Sequence, residues 1–186
     1  MARKSNSKQV ILDAAEAVVM EVGAGHMSLD LVAKKAGVSK GGLMYNFPSK
    51  EALLKAMITR LIEQFYVDRE KKIKDLKKSG PGAFLKAGIL ASFEHDDKRS
   101  RMGLSILAAS AHNPGLLEPL KQAYQAHVKE MLDSGLKFEP AEIVSLAADG
   151  LMFWELFRLS PFNENQREKI KKEMLRMIDQ LEVEKE

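Results

Sequence analysis

Lys40, Tyr45 and Asn46 stand close together in the stretch AGVSKGGLMYNFPSKEAL, residues 36–53, and Gly41 and Gly42 lie between the lysine and the other two. An ammonium, a phenol and a carboxamide within two turns of a short helix could donate to phosphate oxygens or to the edges of bases. The two glycines conflict with such a helix, because each costs about 1 kcal/mol relative to Ala in a helix interior. The conflict resolves if the helix backbone has to come close to another molecule. Glycine leaves that surface bare, and the N–H groups of a first helical turn suit a phosphate oxygen.

These residues need elements that hold them. Apolar residues recur three and four apart almost throughout the chain, and nothing alternates at period two for long enough to argue for a sheet, so the chain reads as all-α. A first helix near 6–23 is expected to bury Val10, Ala14, Ala17, Val18 and Val22 and to end at Gly23. Ser28 caps a helix near 29–36, which Gly37 ends; Ser39 caps a third running to about Phe47. Pro48 disfavours helical geometry before it and enforces the stop. Helix, glycine-containing turn and short second helix make a helix-turn-helix, whose second helix enters the DNA major groove. Leu29, Val32, Ala33, Val38, Leu43 and Phe47 can meet the first helix as a small core, which leaves Lys40, Gly41, Gly42, Met44, Tyr45 and Asn46 pointing outward.

Ser49 caps a fourth helix that continues to about Lys78, with Leu53, Met57, Leu61 and Phe65 as its apolar stripe. Ser79-Gly80-Pro81-Gly82 is the strongest break. Five more helices are expected near 83–94, 100–112, 115–134, 140–159 and 164–183, about nine in all. The segment near 140–159 is apolar on nearly every face, and such a helix is buried on more than one side. The last carries a narrower stripe of Ile170, Met174, Met177, Ile178 and Leu181.

Composition agrees with a globular chain: 186 residues, 45% apolar and 30% charged, with no cysteine for disulfides, thiolate metal sites or a Cys nucleophile. Asp13 and Glu16 interrupt the apolar part of the basic N-terminal segment, so it does not read as a signal peptide, and no run is apolar enough to span a bilayer. A cytoplasmic protein is expected. The net charge of +3 is modest, but all of the excess lies in residues 1–50, where Arg3, Lys4, Lys8, Lys34, Lys35, Lys40 and Lys50 face four acidic residues. A contact with a polyanion would need it there.

The run SLDLVAKKAGVSKGGLMYNFPSKEALLKAMI, with the helix before it, resembles the DNA-binding signature of the TetR family of bacterial transcriptional regulators. The resemblance covers roughly the first 60 residues; turn, glycines, aromatic, Phe-Pro-Ser-Lys and Glu-Ala-Leu fall in order. It implies a helix-turn-helix DNA-binding domain over 1–48 and a larger ligand-binding and dimerisation domain over 49–186. It also implies that Lys40, Gly42 and Tyr45 face bases or adjoining backbone, and that Ser28, Ser39, Asn46 and Lys50 contact phosphates. The family usually has Tyr or Phe at the position of Met44 and His or Tyr at that of Asn46. Met44 can lie against a thymine methyl, and Asn46 can still donate to a phosphate. Taken singly, Tyr45 could instead pack on the small core, and Lys50 could be a solvated first-turn lysine.

The resemblance further implies a homodimer formed through the helices near 140–159 and 164–183, and an effector pocket among the middle helices. Phe93, Met102, Leu107, Tyr124, Met131, Trp154 and Phe157 could line an apolar cavity, or be ordinary core. The expected function is a repressor released from a pseudo-palindromic duplex operator by a small, largely apolar effector. The alternative is a DNA-binding regulator whose second domain is a dimerisation or protein-interaction platform without an inducer. His95-Asp96-Asp97 completes no metal-ligand set, His112 and His127 stand singly, and no nucleophile-base pairing is visible. No cofactor, metal or enzymatic activity is expected.

Overall fold

A computed structural model describes residues 2–76, 80–94 and 96–181, with side chains from residue 7 onward. Among the described residues nine α-helices run in the order α1 Ala2–His26, α2 Leu29–Ala36, α3 Lys40–Asn46, α4 Lys50–Asp75, α5 Ala83–Ser92, α6 Asp97–Ser110, α7 Glu118–Asp133, α8 Phe138–Leu156 and α9 Glu164–Asp179. One 3-10 turn, Pro114–Leu117, precedes α7. No β-strand occurs among the described residues. His95, Lys78 and Ser79, which figured in the sequence reading, lie outside them.

The helix ends follow local chemistry. Ser28 and Ser39 each accept a backbone N–H of the first turn they precede, from Leu31 at 3.2 Å and Gly42 at 3.0 Å. Gly37 closes α2 in the left-handed conformation, φ 67°, and its N–H reaches the carbonyls of Ala33 and Lys34. Gly23 does not end α1 as expected. It breaks the helix at φ 81° and ψ 156°, and one further turn follows to His26.

Packing divides the chain into two compact units, 1–62 with 96–122, and 63–95 with 123–186. In the first, Ile11, Ala15, Val18, Val32, Leu43, Phe47, Leu53 and Met57 from α1 to α4 share a core with Met102 and Ile106 of α6. The expected inner face of α1 is partly corrected: Ala14 and Val18 are buried, but Val10 and Val22 are exposed, and Ile11, Leu12, Ala15 and Val19 take the interior. The cause is a second neighbour. Besides α2, α1 packs along α6, so its buried face is wider than one helix-turn-helix requires. Buried Glu16 belongs to that wider face, paired with Arg60 of α4 at 3.3 Å and Lys98 of α6 at 3.2 Å.

In the second unit Leu85, Ile89, Met131, Ala141, Val144, Ala148, Met174 and Ile178 form the core. Within this unit α8 buries Ala141, Val144, Ala148 and Leu151. Its other side leaves Ile143 and Leu146 about 60% exposed, with Trp154 and Phe157 exposed beyond them.

Candidate nucleic-acid interface

The helix-turn-helix is built on α2, the Gly37-Val38-Ser39 turn and α3. Leu43, fully buried, and Phe47 anchor α3 to the core. Lys40, Gly41, Met44 and Tyr45 of the same helix are exposed, Tyr45 to 73%. The alternative role of Tyr45 in the small core is therefore removed.

The predicted phosphate ligands differ in what they are already doing. Ser28 and Ser39 accept cap hydrogen bonds, yet each hydroxyl keeps its proton to donate, so capping and phosphate binding are compatible. Lys40 pairs with Asp30 at 3.0 Å, and both side chains are exposed. A surface pair of this kind is worth about 0–1 kcal/mol, little enough for a phosphate to displace. Lys50 donates to the Gly25 carbonyl at 2.6 Å, which holds its ammonium beside the last turn of α1.

Asn46 departs from its expected outward position. It is half-buried, and its Nδ2 donates to the Gly42 carbonyl at 2.9 Å and to Ser7 Oγ at 3.5 Å. In this arrangement both amide hydrogens are directed within the chain.

Gly41 and Gly42 also separate. A Cβ built on Gly42 would lie 3.2 Å from the cap oxygen of Ser39, whereas one on Gly41 would meet nothing within 4 Å. Packing within the chain gives Gly42 a reason to be small and gives Gly41 none.

Sequence reasoning missed the part α1 plays at this surface. Lys8 lies over the Phe47 ring at 5.7 Å, and Ser7 reaches Asn46, so the start of α1 flanks the end of α3. The basic excess of residues 1–50 was the only signal for it.

The seven suggested pocket residues divide between the two units. Met102 is buried in the first unit's core and Leu107 lies half-buried on the same helix. Met131 fills the second unit's core, Phe93 packs at its edge, and Tyr124, Trp154 and Phe157 are exposed. Trp154 stacks on Phe162, ring centres 5.9 Å apart.

A polar seam that was not foreseen joins α7 to α8. His127 Nε2 lies 3.1 Å from Ser145 Oγ and 3.7 Å from Glu142, and Tyr124 hydrogen-bonds Asp149. Burial pushes the Asp149 carboxyl above its ordinary range, Tyr124 and His127 pull it back, and Glu142 adds to the rise. Tyr124 as a whole is 40% exposed, but partial burial of its phenol and the neighbouring Asp149 push it upward. Among the described residues no group of three or more His, Cys, Asp or Glu is placed to hold a metal ion, and no helix is long and apolar enough to cross a membrane.

An anchored helix-turn-helix with an exposed second helix, joined to further helices, defines a DNA-binding transcriptional regulator. Profile comparison agrees at both ends of the chain: "Bacterial regulatory proteins, tetR family" matches residues 11–57, and "Tetracyclin repressor-like, C-terminal domain" matches 82–179. The chain belongs to the TetR family. The HTH-type transcriptional regulator BetI of Yersinia pestis (strain Pestoides F) is 30% identical over 148 residues, covering 77% of this chain and 74% of the relative. Among solved structures, a TetR-family member from Streptomyces coelicolor A3 superposes with a TM-score of 0.69 at 22% identity, over 92% of this chain and 97% of its own. The fatty acid degradation regulator FadR of Bacillus halodurans gives 0.67 at 18% identity, over 96% and 97%. At these identities the structures speak for the fold alone.

Proposed function

We propose that the protein acts in the cytoplasm as a homodimeric repressor whose two α3 helices occupy successive major grooves of a pseudo-palindromic operator, and that a small, largely apolar effector releases it. The DNA-binding domain is residues 1–48, and the remainder serves effector binding and dimerisation. The observation that carries the reading is the division of α3 between a buried Leu43 and Phe47 and an exposed Lys40, Gly41, Met44 and Tyr45. Dimerisation is supported by the open apolar side of α8, because a contiguous exposed apolar surface is characteristic of an interface. Half-sites about one helical turn apart follow from that symmetry. The effector acts by binding one head separation better than another, with α4 common to both units.

The test begins with the duplex that the full-length protein enriches from a random-sequence pool. A dimeric mass in solution, protection of two half-sites, and loss of both in Leu146→Glu are expected. A monomer that protects one half-site as tightly as the pair would overturn the dimeric reading.

A second reading, a dimerisation platform without an inducer, gains support from Met102 and Met131, each of which is buried in the core of its own unit. A screen of small apolar compounds against the protein-duplex complex separates the two: release by any of them removes the platform reading.

A further inference from the structure

Breaking a helix leaves the N–H groups of the next turn without carbonyls four residues back. At Gly23 that situation arises inside α1. The Met27 N–H closes onto the Gly23 carbonyl at 3.1 Å, so Gly23–Met27 forms a turn beyond the break, and the Ala24 N–H at its start takes a partner from outside α1. The partner comes from 81 residues away: Ser105 Oγ of α6 accepts the Ala24 N–H at 2.7 Å. Ser105 therefore does for this turn what Ser28 and Ser39 do for α2 and α3, but from another helix.

The same turn is held from its other end. The carbonyl of Gly25, one residue after Ala24, receives the Lys50 ammonium at 2.6 Å. Ala24 is fully buried, which leaves the segment little freedom to shift without its neighbours. A Cβ on Gly23 would sit 3.6 Å from Ser105 Oγ, so α1 and α6 already approach to contact distance here. An unbroken line of groups thus runs from α6, through Ser105 and the Gly23–Met27 turn, to the first residue of α4.

From this we infer that Ser105 is a positioning residue for DNA binding: its hydroxyl fixes the turn whose carbonyl aims Lys50 at a phosphate. The inference rests on the reading of Lys50 as a phosphate contact, and it places a determinant of DNA affinity on α6, outside the helix-turn-helix. Ser105 itself touches no DNA. Its effect reaches the duplex only through Lys50.

The experiment compares the wild-type protein, Ser105→Ala, Lys50→Met and the double variant on the duplex enriched by the full-length protein, across a salt series. Lys50→Met should weaken binding and lower the salt slope by about one per protomer. Ser105→Ala should weaken binding about two- to tenfold, the range of one hydrogen bond. It should have no further effect once Lys50 is gone. Ser105→Thr, which keeps the hydroxyl, should restore affinity. An equal loss from Ser105→Ala in the wild-type and Lys50→Met backgrounds would overturn the positioning role while leaving Lys50 in contact with DNA. An unchanged slope in Lys50→Met would overturn the Lys50 reading itself, and this inference with it. Should Ser105→Ala fail to fold, hydrogen exchange at the Ala24 amide in Ser105→Thr and Ser105→Cys, set beside their affinities, keeps the question open to refutation: slower exchange must accompany tighter binding.

Discussion

Replacing Gly41 with Ala should move stability and DNA binding in opposite directions. Gly41 lies inside α3, and a methyl group there meets nothing within 4 Å in the free protein. The substitution therefore adds helix propensity without strain, worth about 0.5–1 kcal/mol. For a chain of this length that is a rise in Tm of about 1–4 °C, readable by circular dichroism. On DNA the same methyl occupies the space through which the backbone approaches. Loss of one backbone hydrogen bond to a charged phosphate oxygen costs about 1.5–3 kcal/mol, so affinity in an anisotropy titration should fall about tenfold or more. Gly42→Ala serves as the internal comparison, because its methyl would press on the Ser39 cap at 3.2 Å and forfeit part of the propensity gain. A Gly41→Ala protein that binds its duplex as tightly as wild type would refute the clearance argument. One that melts lower would refute the claim that α3 has room for the methyl.

Two further outcomes concern the second unit. Gly82→Ala would place its Cβ 2.6 Å from Cγ2 of buried Ile178, so the start of α5 or the end of α9 must move; a loss of about 1–3 kcal/mol in urea unfolding is expected, and unchanged stability would contradict that packing. Asp149→Asn keeps an acceptor for Tyr124 and removes a carboxylate that burial disfavours. Because the native carboxyl holds its proton more tightly than the unfolded one, the contribution of Asp149 is complete below its unfolded pKa near 4 and is lost as pH rises through its native value. The variant should accordingly be the more stable protein at pH 7, with the difference shrinking as pH falls; a difference that grows on acidification would reverse the assignment.

Where an element is set by residues beside it in the chain, the sequence reading and the structure agree. Ser28, Ser39, Gly37 and Pro48 bound α2 and α3 as expected, since a cap or a proline acts within four residues. Where a choice depends on a distant neighbour, they part. Val10, Ile11 and Leu12 are consecutive apolar residues, and periodicity alone does not say which of them faces inward; α6, remote in sequence, decides. Gly23 is conformationally free by its chemistry, but whether the chain stops or turns there depends on Ser105. Asn46 reads as a surface donor until Ser7 and the Gly42 carbonyl are found beside it. The exposed row on α3 was legible because the apolar partners Leu43 and Phe47 are four apart and fix the phase of a helix only two turns long. The grouping of Met102 with Met131 was not, because like side chains in like helices carry no record of which core they fill.

The carboxylate of Glu16 receives Arg60 and Lys98, from positions 44 residues and 82 residues further along the chain. Its consequence bears on how such regulators can be recombined. A chimera joined after α4 would carry the reading helices away from α6, stranding a buried charge without one of its two cations and uncovering Ile11 and Val18. Grafts that transfer 1–62 together with 96–122 keep both the ion pairs and the shared core, so in this chain the exchangeable part is discontinuous.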